Sequence, residues 1–121
     1  MAASVDPALA AWDAADVNAF LACFTDDARF FVPGATRISG DHTRSTVGPV
    51  LATLLAPGAL VQGVIERYTS PNGGVVLVDH AVGEHHYHAA HLFELADPAA
   101  ERFSFWWLFT HEHEAFEAAW A

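Results

Sequence analysis

The segment RFSFWWLFTHEH, residues 102–113, is the most aromatic stretch of the chain and indicates its fold. Successive side chains of a β-strand point to opposite faces of the sheet. One face of this strand would carry Phe103, Phe105, Trp107, Phe109 and His111, and the other face Trp106 and Leu108. A sheet with one face in water alternates apolar and polar residues, and this strand does not. We therefore expect a cover on both faces, with helices on one and a second copy of the chain on the other.

Three further strands are predicted before this segment. They span residues 60–68, 75–82 and 85–95. The stretch SPNGG at 70–74 and the pair Gly83-Glu84 have the composition typical of hairpin turns. Short turns join neighbouring antiparallel strands, so these strands and the aromatic one should form one antiparallel sheet.

The N-terminal half of the chain has helical periodicity. We predict a helix over about 7–24, capped by Asp6 and pinched near 14–16, and a second helix over about 45–56. A strand is expected at 28–32, a loop at 40–42 and a short tail at 115–121. This order predicts an α+β fold in which a curved sheet wraps around a helical layer and encloses a cone-shaped cavity.

The composition excludes several classes of protein. The 121 residues suffice for a single domain over 1–121, and the formal net charge of −10 with five Arg and no Lys disfavours nucleic acid and anionic membranes as partners. No apolar stretch is long enough to span a bilayer, and the N-terminus has no secretory signal pattern. Because Cys23 is the single cysteine, no internal disulfide is possible, and we expect a cytoplasmic protein.

Four segments together resemble a known family. They are LACFTDDARF at 21–30, GDH at 40–42, HLFEL at 91–95 and WWLF at 106–109. In this order they are similar to segments of SnoaL-like proteins, which share the nuclear transport factor 2-like fold with ketosteroid isomerases and polyketide cyclases. The resemblance implies a cone-shaped α+β fold and enzymes that mostly need no cofactor, and it leaves the reaction open because this fold hosts many chemistries.

The resemblance also assigns roles to individual positions. His91 falls where ketosteroid isomerases have the acid that donates to the substrate oxyanion, and His111 falls where SnoaL-type cyclases have an acid/base residue. The isomerases' general base falls at Val32 and their oxyanion tyrosine near Ala8, and neither side chain can do that chemistry. Steroid isomerisation by that mechanism is therefore not expected.

Strand parity adds a face assignment for the candidate catalytic residues. If Phe93 faces the cavity, His91 and Tyr87 do so as well, and the register of the family turns His111 inward with its strand. Neutral imidazoles in an apolar cavity can donate from one nitrogen and accept at the other, which suits proton transfer beside a carbonyl or hydroxyl. The residues expected to contact a substrate are Trp12, Phe20, Phe31, Val32, Phe93, Trp107 and Phe109.

The pair Asp79-His80 leaves two alternatives open. With a two-residue turn at Gly83-Glu84, His80 would lie opposite Tyr87 on the cavity face and act as a second acid/base. A one-residue bulge would turn Asp79 inward instead, where it could orient a histidine. We favour His80.

The sequence supports three functional hypotheses. The first is a cofactor-independent acid–base enzyme acting on a small hydrophobic polyketide-like or terpenoid molecule, with catalytic His91, His111 or His80, and Tyr87. The second is a non-catalytic binding module. The third is a metal-dependent enzyme in which His86 and His88 bind the metal together with either His80 or the pair His111 and His113. This site is disfavoured because the spacing matches no familiar ligand set, so we expect no metal and no cofactor. We also expect His91→Phe to leave the fold intact or slightly stabilised, because few partners for the buried ring are visible.

Overall fold

A computed structural model describes residues 4–121. The chain order is α1 (Asp6–Asp13), α2 (Val17–Leu21), β1 (Phe24–Val32), β2 (Gly40–Thr43), α3 (Gly48–Leu54), β3 (Val61–Ser70), β4 (Gly73–Val82), β5 (His85–Glu94), β6 (Phe103–Phe109) and α4 (His113–Ala119). The six strands form one sheet in the order β2-β1-β6-β5-β4-β3. Strands β1 and β6 are parallel, and all other neighbours are antiparallel. The helices pack on one face of the curved sheet, which confirms the predicted α+β architecture.

The predicted long N-terminal helix is two helices. Pro7 lies in the first turn of α1, where its missing N–H costs no hydrogen bond. Ala15 then has φ 55°, a left-handed conformation that ends the helix. The Asp16 side chain accepts the backbone N–H of Ala19 at 3.0 Å and so starts α2 in a new direction. The pinch expected at 14–16 is thus a complete break.

Two other segments differ from the predictions. The expected loop at 40–42 belongs to β2, because Gly40 and His42 pair with Val32 and Phe30 of β1. The expected tail is largely helical: α4 buries Phe116, and Trp120 at its end is 2% exposed. Both segments contain too few residues for a periodicity to show, and they form where the main sheet offers them a partner.

The last strand has the opposite orientation to the expected one. Trp106 and Leu108 are fully buried against the helices, whereas Trp107 is 39% and Phe109 is 38% exposed. The reason is pairing: Phe93 on the inner face of β5 lies opposite Trp106, and residues paired across strands share a face. Trp107 and Phe109 are therefore not residues of the cone interior, and the assignment drawn from the family register was wrong.

Phe31 also lies on the face opposite to the predicted one, and strand pairing is again the reason. It pairs with Trp107 across β1 and β6, and the two ring centroids lie 5.4 Å apart on the outer side of the sheet. The inward residues of β1 are Phe30 and Val32, both fully buried. The outer face of the sheet carries an apolar surface, here called the outer patch, formed by Phe31, Leu77, Leu92, Phe105, Trp107 and Phe109.

The inner face and the helices enclose a dense aromatic core. Trp12, Phe20 and Phe93, which the sequence proposed as substrate contacts, are all buried there. For example, the ring centroids of four aromatic neighbours lie within 6.3 Å of the ring centroid of Phe20. The cone interior expected to be an open apolar cavity is thus filled by aromatic side chains at its centre. None of the helices in residues 4–121 has the length and apolar run that crossing a bilayer requires.

Candidate active site

Two histidines lie side by side in the core, on adjacent strands. His80 of β4 and His91 of β5 are 0% and 1% exposed, and their ring centroids are 5.9 Å apart. The β4–β5 turn has two residues, so His80 pairs with Tyr87 and shares its inward face. Asp79 is exposed and points outward. The preference for His80 over Asp79 is confirmed.

A residue that the sequence did not single out joins the two imidazoles. The Oε1 atom of Gln62, on β3, lies 2.7 Å from Nε2 of His80 and 2.7 Å from Nε2 of His91. Gln62 pairs with His80 across β3 and β4, and this pairing turns its side chain inward. The remainder of β3 is largely exposed and gives Gln62 no distinguishing pattern, so no sequence signal would have identified it.

The protonation of this network follows from a single donor. An indole N–H can only donate, and Nε1 of Trp106 lies 3.0 Å from Nδ1 of His91. The His91 proton is therefore on Nε2, and it points to Gln62. The atom of Gln62 that receives it is an oxygen, Oε1, because an amide nitrogen cannot accept this proton.

The same reasoning extends to the far end of the network. Since Oε1 of Gln62 accepts, Nε2 of His80 must donate, and its Nδ1 accepts the hydroxyl of Tyr87 at 3.1 Å. The Tyr87 oxygen in turn accepts the indole N–H of Trp120 at 2.9 Å. Both imidazoles are neutral Nε2–H tautomers, and both Nδ1 lone pairs are occupied. In this arrangement the two histidines are hydrogen-bond donors rather than bases.

Burial keeps the two rings neutral. Desolvation lowers the pKa of His80 from 6.5 to about 4. Desolvation, and then the neighbouring His80, hold the pKa of His91 well below 6.5. Burial also raises the pKa of Tyr87 to about 12, although the bond from Trp120 opposes this. All three groups are therefore uncharged at neutral pH.

The expectation that His91 has few partners was wrong. Both of its ring nitrogens are hydrogen-bonded, and its ring contacts Trp12 edge-on with centroids 4.7 Å apart. Replacing it with Phe would leave the Trp106 N–H without an acceptor, and an orphaned buried donor costs about 1–3 kcal/mol. His91→Phe should therefore destabilise the fold.

A pocket of about 350 Å³ opens next to this network, and Gln62 forms part of its wall. Its walls come from the end of α1, the segment after α3 and the start of β3. They include Trp12, Asp13, Leu54, Leu60 and Gln62. Trp12 also contacts both imidazoles, since its ring centroid lies 6.2 Å from that of His80. Trp12 and Gln62 thus stand between the pocket and the histidine pair.

The remaining candidate histidines lie outside the cone. His111 follows the end of β6 and is exposed, so it does not join His80 and His91. His86, His88 and His113 are also exposed, and His88 interacts with Glu112 through a 3.2 Å contact to Nδ1. The backbone N–H of His88 donates to the same carboxylate and lowers the pKa of Glu112. Among residues 4–121, no three His, Cys, Asp or Glu side chains are grouped so that they could hold a metal ion.

Comparisons with known proteins address the fold. No protein-family model matches the chain, and a search of curated proteins gives no match either. Among solved structures, Bal32a from a soil-derived mobile gene cassette has a TM-score of 0.81 at 17% identity, over 97% of this chain and 93% of the other. An NTF2-like protein of unknown function from Burkholderia pseudomallei has a TM-score of 0.77 at 16% identity, over 97% and 95%. A steroid delta-isomerase from Pseudomonas aeruginosa has a TM-score of 0.74 at 16% identity, over 95% and 85%. The chain has the nuclear transport factor 2-like fold.

Proposed function

We propose that this protein is a cofactor-independent acid–base enzyme that acts on a small hydrophobic carbonyl compound of the polyketide or terpenoid type. The observation that carries the proposal is the convergence of two neutral imidazole N–H groups on one oxygen, each at 2.7 Å. Two donors aimed at one oxygen in a site shielded from water stabilise the negative charge that develops when a carbonyl enolises. The reaction class is therefore proton transfer at a carbon next to a carbonyl.

The roles of the side chains follow from the network. His80 and His91 polarise the carbonyl, while Tyr87, Trp106 and Trp120 act through them as positioning residues that hold the donor tautomers. We assign proton acceptance to Asp13, a carboxylate in the wall of the adjacent pocket. His111 has no role in this proposal, because it lies outside the cone.

Deuterium exchange at the α-carbon of 2-tetralone tests the proposal without knowledge of the natural substrate. We expect the protein to accelerate this exchange in D₂O. The rate is measured by proton NMR as the loss of the α-proton signal. His91→Gln and Asp13→Asn should each reduce the rate by about 10²–10⁴-fold, the usual worth of acid–base assistance. The matched controls are His86→Gln and Asp79→Asn, two exposed positions on the outside of the sheet, which should exchange at the wild-type rate.

The same experiment separates an enzyme from a non-catalytic binding module. A module would bind 2-tetralone, detected by quenching of tryptophan fluorescence, without accelerating exchange. Binding without exchange would therefore overturn the catalytic proposal and leave the pocket as a carrier site. Loss of exchange in the His86 and Asp79 controls would overturn the assignment of residues.

We further propose that the protein is a homodimer that pairs through the outer patch. Trp107 and Phe109 are large apolar side chains that remain more than a third exposed at the centre of this face. Contiguous apolar surface of this kind marks protein–protein contacts. Since both copies carry the same patch, a two-fold axis lets each patch cover the other.

A further inference from the structure

Gln62 occupies the position at which the carbonyl oxygen of a ligand would bind. Its side chain is a carboxamide, and its oxygen accepts both imidazole N–H groups as a substrate carbonyl would. We propose that Gln62 is a displaceable gate, which closes the histidine pair in the free protein and leaves when a carbonyl compound enters from the adjacent pocket. This inference rests on the proposed function and adds to it the residue that controls access.

In the closed position of Gln62, one polar atom of its side chain has no hydrogen-bond partner in the part of the chain that the structure describes. Within residues 4–121, Nε2 of Gln62 is shielded from solvent and has no hydrogen-bond partner. A buried donor without an acceptor destabilises the state that contains it. Rotation of the side chain into the pocket returns this nitrogen to water. The hydration gained in this way offsets part of the free energy lost when the two hydrogen bonds to the histidines break.

The position of Gln62 in the sheet favours such a movement. β3 is an edge strand, paired only on its β4 side. Ile65 is an extra residue in the β3–β4 ladder, so the segment 61–64 is separated by a bulge from the rest of the strand. The neighbour Val61 is 68% exposed, and no packed side chain on β3 itself holds the Gln62 side chain in place. Within residues 4–121, the hydrogen bonds of the carboxamide are the two that its oxygen accepts from the histidines.

The geometry also defines the ligand. Its carbonyl oxygen replaces Oε1 between the imidazoles, and its apolar body occupies the pocket beside Trp12, Leu54 and Leu60. Asp13 in the wall of the same pocket would repel the negative charge of a ligand acid, so a neutral ketone or aldehyde fits better than a carboxylate.

Two substitutions of Gln62 test the gate because they act in opposite directions. Gln62→Ala removes the competing oxygen, and we expect 2-tetralone to bind about tenfold more tightly. Gln62→Glu supplies a carboxylate oxygen, which accepts the two N–H groups more strongly, and we expect binding about tenfold weaker. The dissociation constants are measured by fluorescence titration, with thermal melting to show that each variant is folded.

A measurement on the wild-type protein complements the variants. The side-chain amide of Gln62 should give a ¹H–¹⁵N signal protected from water exchange in the free protein, and 2-tetralone should make its exchange rapid. If Gln62→Ala binds 2-tetralone equally or more weakly while the wild type binds it, Gln62 is a fixed contact and the gate is wrong. If neither wild type nor Gln62→Ala binds the probe or accelerates its exchange, the proposed function itself is wrong.

Discussion

Trp106 donates its indole N–H to Nδ1 of His91 at 3.0 Å, and this bond determines the protonation of every polar group that follows in the network. The two tryptophans at the ends, Trp106 and Trp120, both donate inward. Gln62 is consequently the acceptor at which the two hydrogen-bond chains meet, one through Tyr87 and His80 and the other through His91. Hydrogen bonds arranged head to tail polarise one another, so both Nε2–H groups are strengthened as donors.

Trp106→Phe should destabilise the protein and free the tautomer of His91. The substitution removes the donor but leaves a buried Nδ1 without a partner, at an expected cost of about 1–3 kcal/mol. Urea unfolding measures this loss, and ¹⁵N chemical shifts of the imidazole should report a mixture of tautomers. Trp107→Phe is the matched control on the exposed side of the same strand, and it should change stability by less than about 0.5 kcal/mol. Equal losses in both variants would contradict the importance of the indole bond.

The stability of the fold should fall as the pH drops from about 6.5 to about 4. In this range the unfolded chain protonates its histidines, while the folded protein keeps His80 neutral until about pH 4 and also holds the pKa of His91 well below 6.5. The unfolded state thus binds more protons, and the depressed pKa of His80 accounts for a loss of about 3 kcal/mol by pH 4. Above pH 6.5 these two groups should contribute no pH dependence.

Urea unfolding as a function of pH tests this expectation. Carboxylates also titrate towards the lower end of the range, so the comparison is with the double variant His80→Gln and His91→Gln. That variant should lose most of the slope between pH 5 and 6.5. An unchanged slope would show that the histidine pair is not the cause.

Trp107→Glu should abolish the proposed dimer. Sedimentation of the wild type should give about twice the chain mass of 13.0 kDa, because burial of the outer patch drives association. A carboxylate at the centre of that patch would lose its hydration in the interface, so the variant should sediment as a monomer. Val61→Glu places the same charge on the edge strand β3, away from the patch, and should remain dimeric. A wild type that sediments as a monomer at micromolar concentration would refute the dimer.

Ala15→Gly should stabilise the protein. Ala15 has φ 55°, a conformation that glycine adopts without the steric cost that a Cβ atom adds. The gain is reduced by the greater backbone entropy of glycine in the unfolded chain, and we expect a net increase of about 0.5 kcal/mol. Ala14→Gly is the control. Ala14 has φ −82°, which alanine adopts without strain, so this substitution should destabilise the protein. Thermal melting of both variants is the measurement, and a lower melting temperature for Ala15→Gly would contradict the argument.

The sequence by itself determined much of the sheet and part of the site. Period-2 alternation over β5 was sufficient to put Tyr87, His91 and Phe93 on one face, because the alternation of side chains is local to a single strand. The turn composition at Gly83-Glu84 favoured a two-residue hairpin, and this made His80 the partner of Tyr87. Such features depend on residues close together in the chain.

Only the tertiary structure decided which faces point inward on β6 and what the histidines contact. In a strand that is apolar on both sides, the strand's own residues do not indicate which face points inward. The inward face of β6 is determined by the pairing of Trp106 with Phe93, which lies thirteen residues away in the sequence. Gln62 lies eighteen residues from His80 and twenty-nine from His91, in a strand whose side chains are mostly exposed. Its role arises because sheet order brings β3 beside β4, and a contact made by sheet assembly leaves no periodic pattern in the sequence.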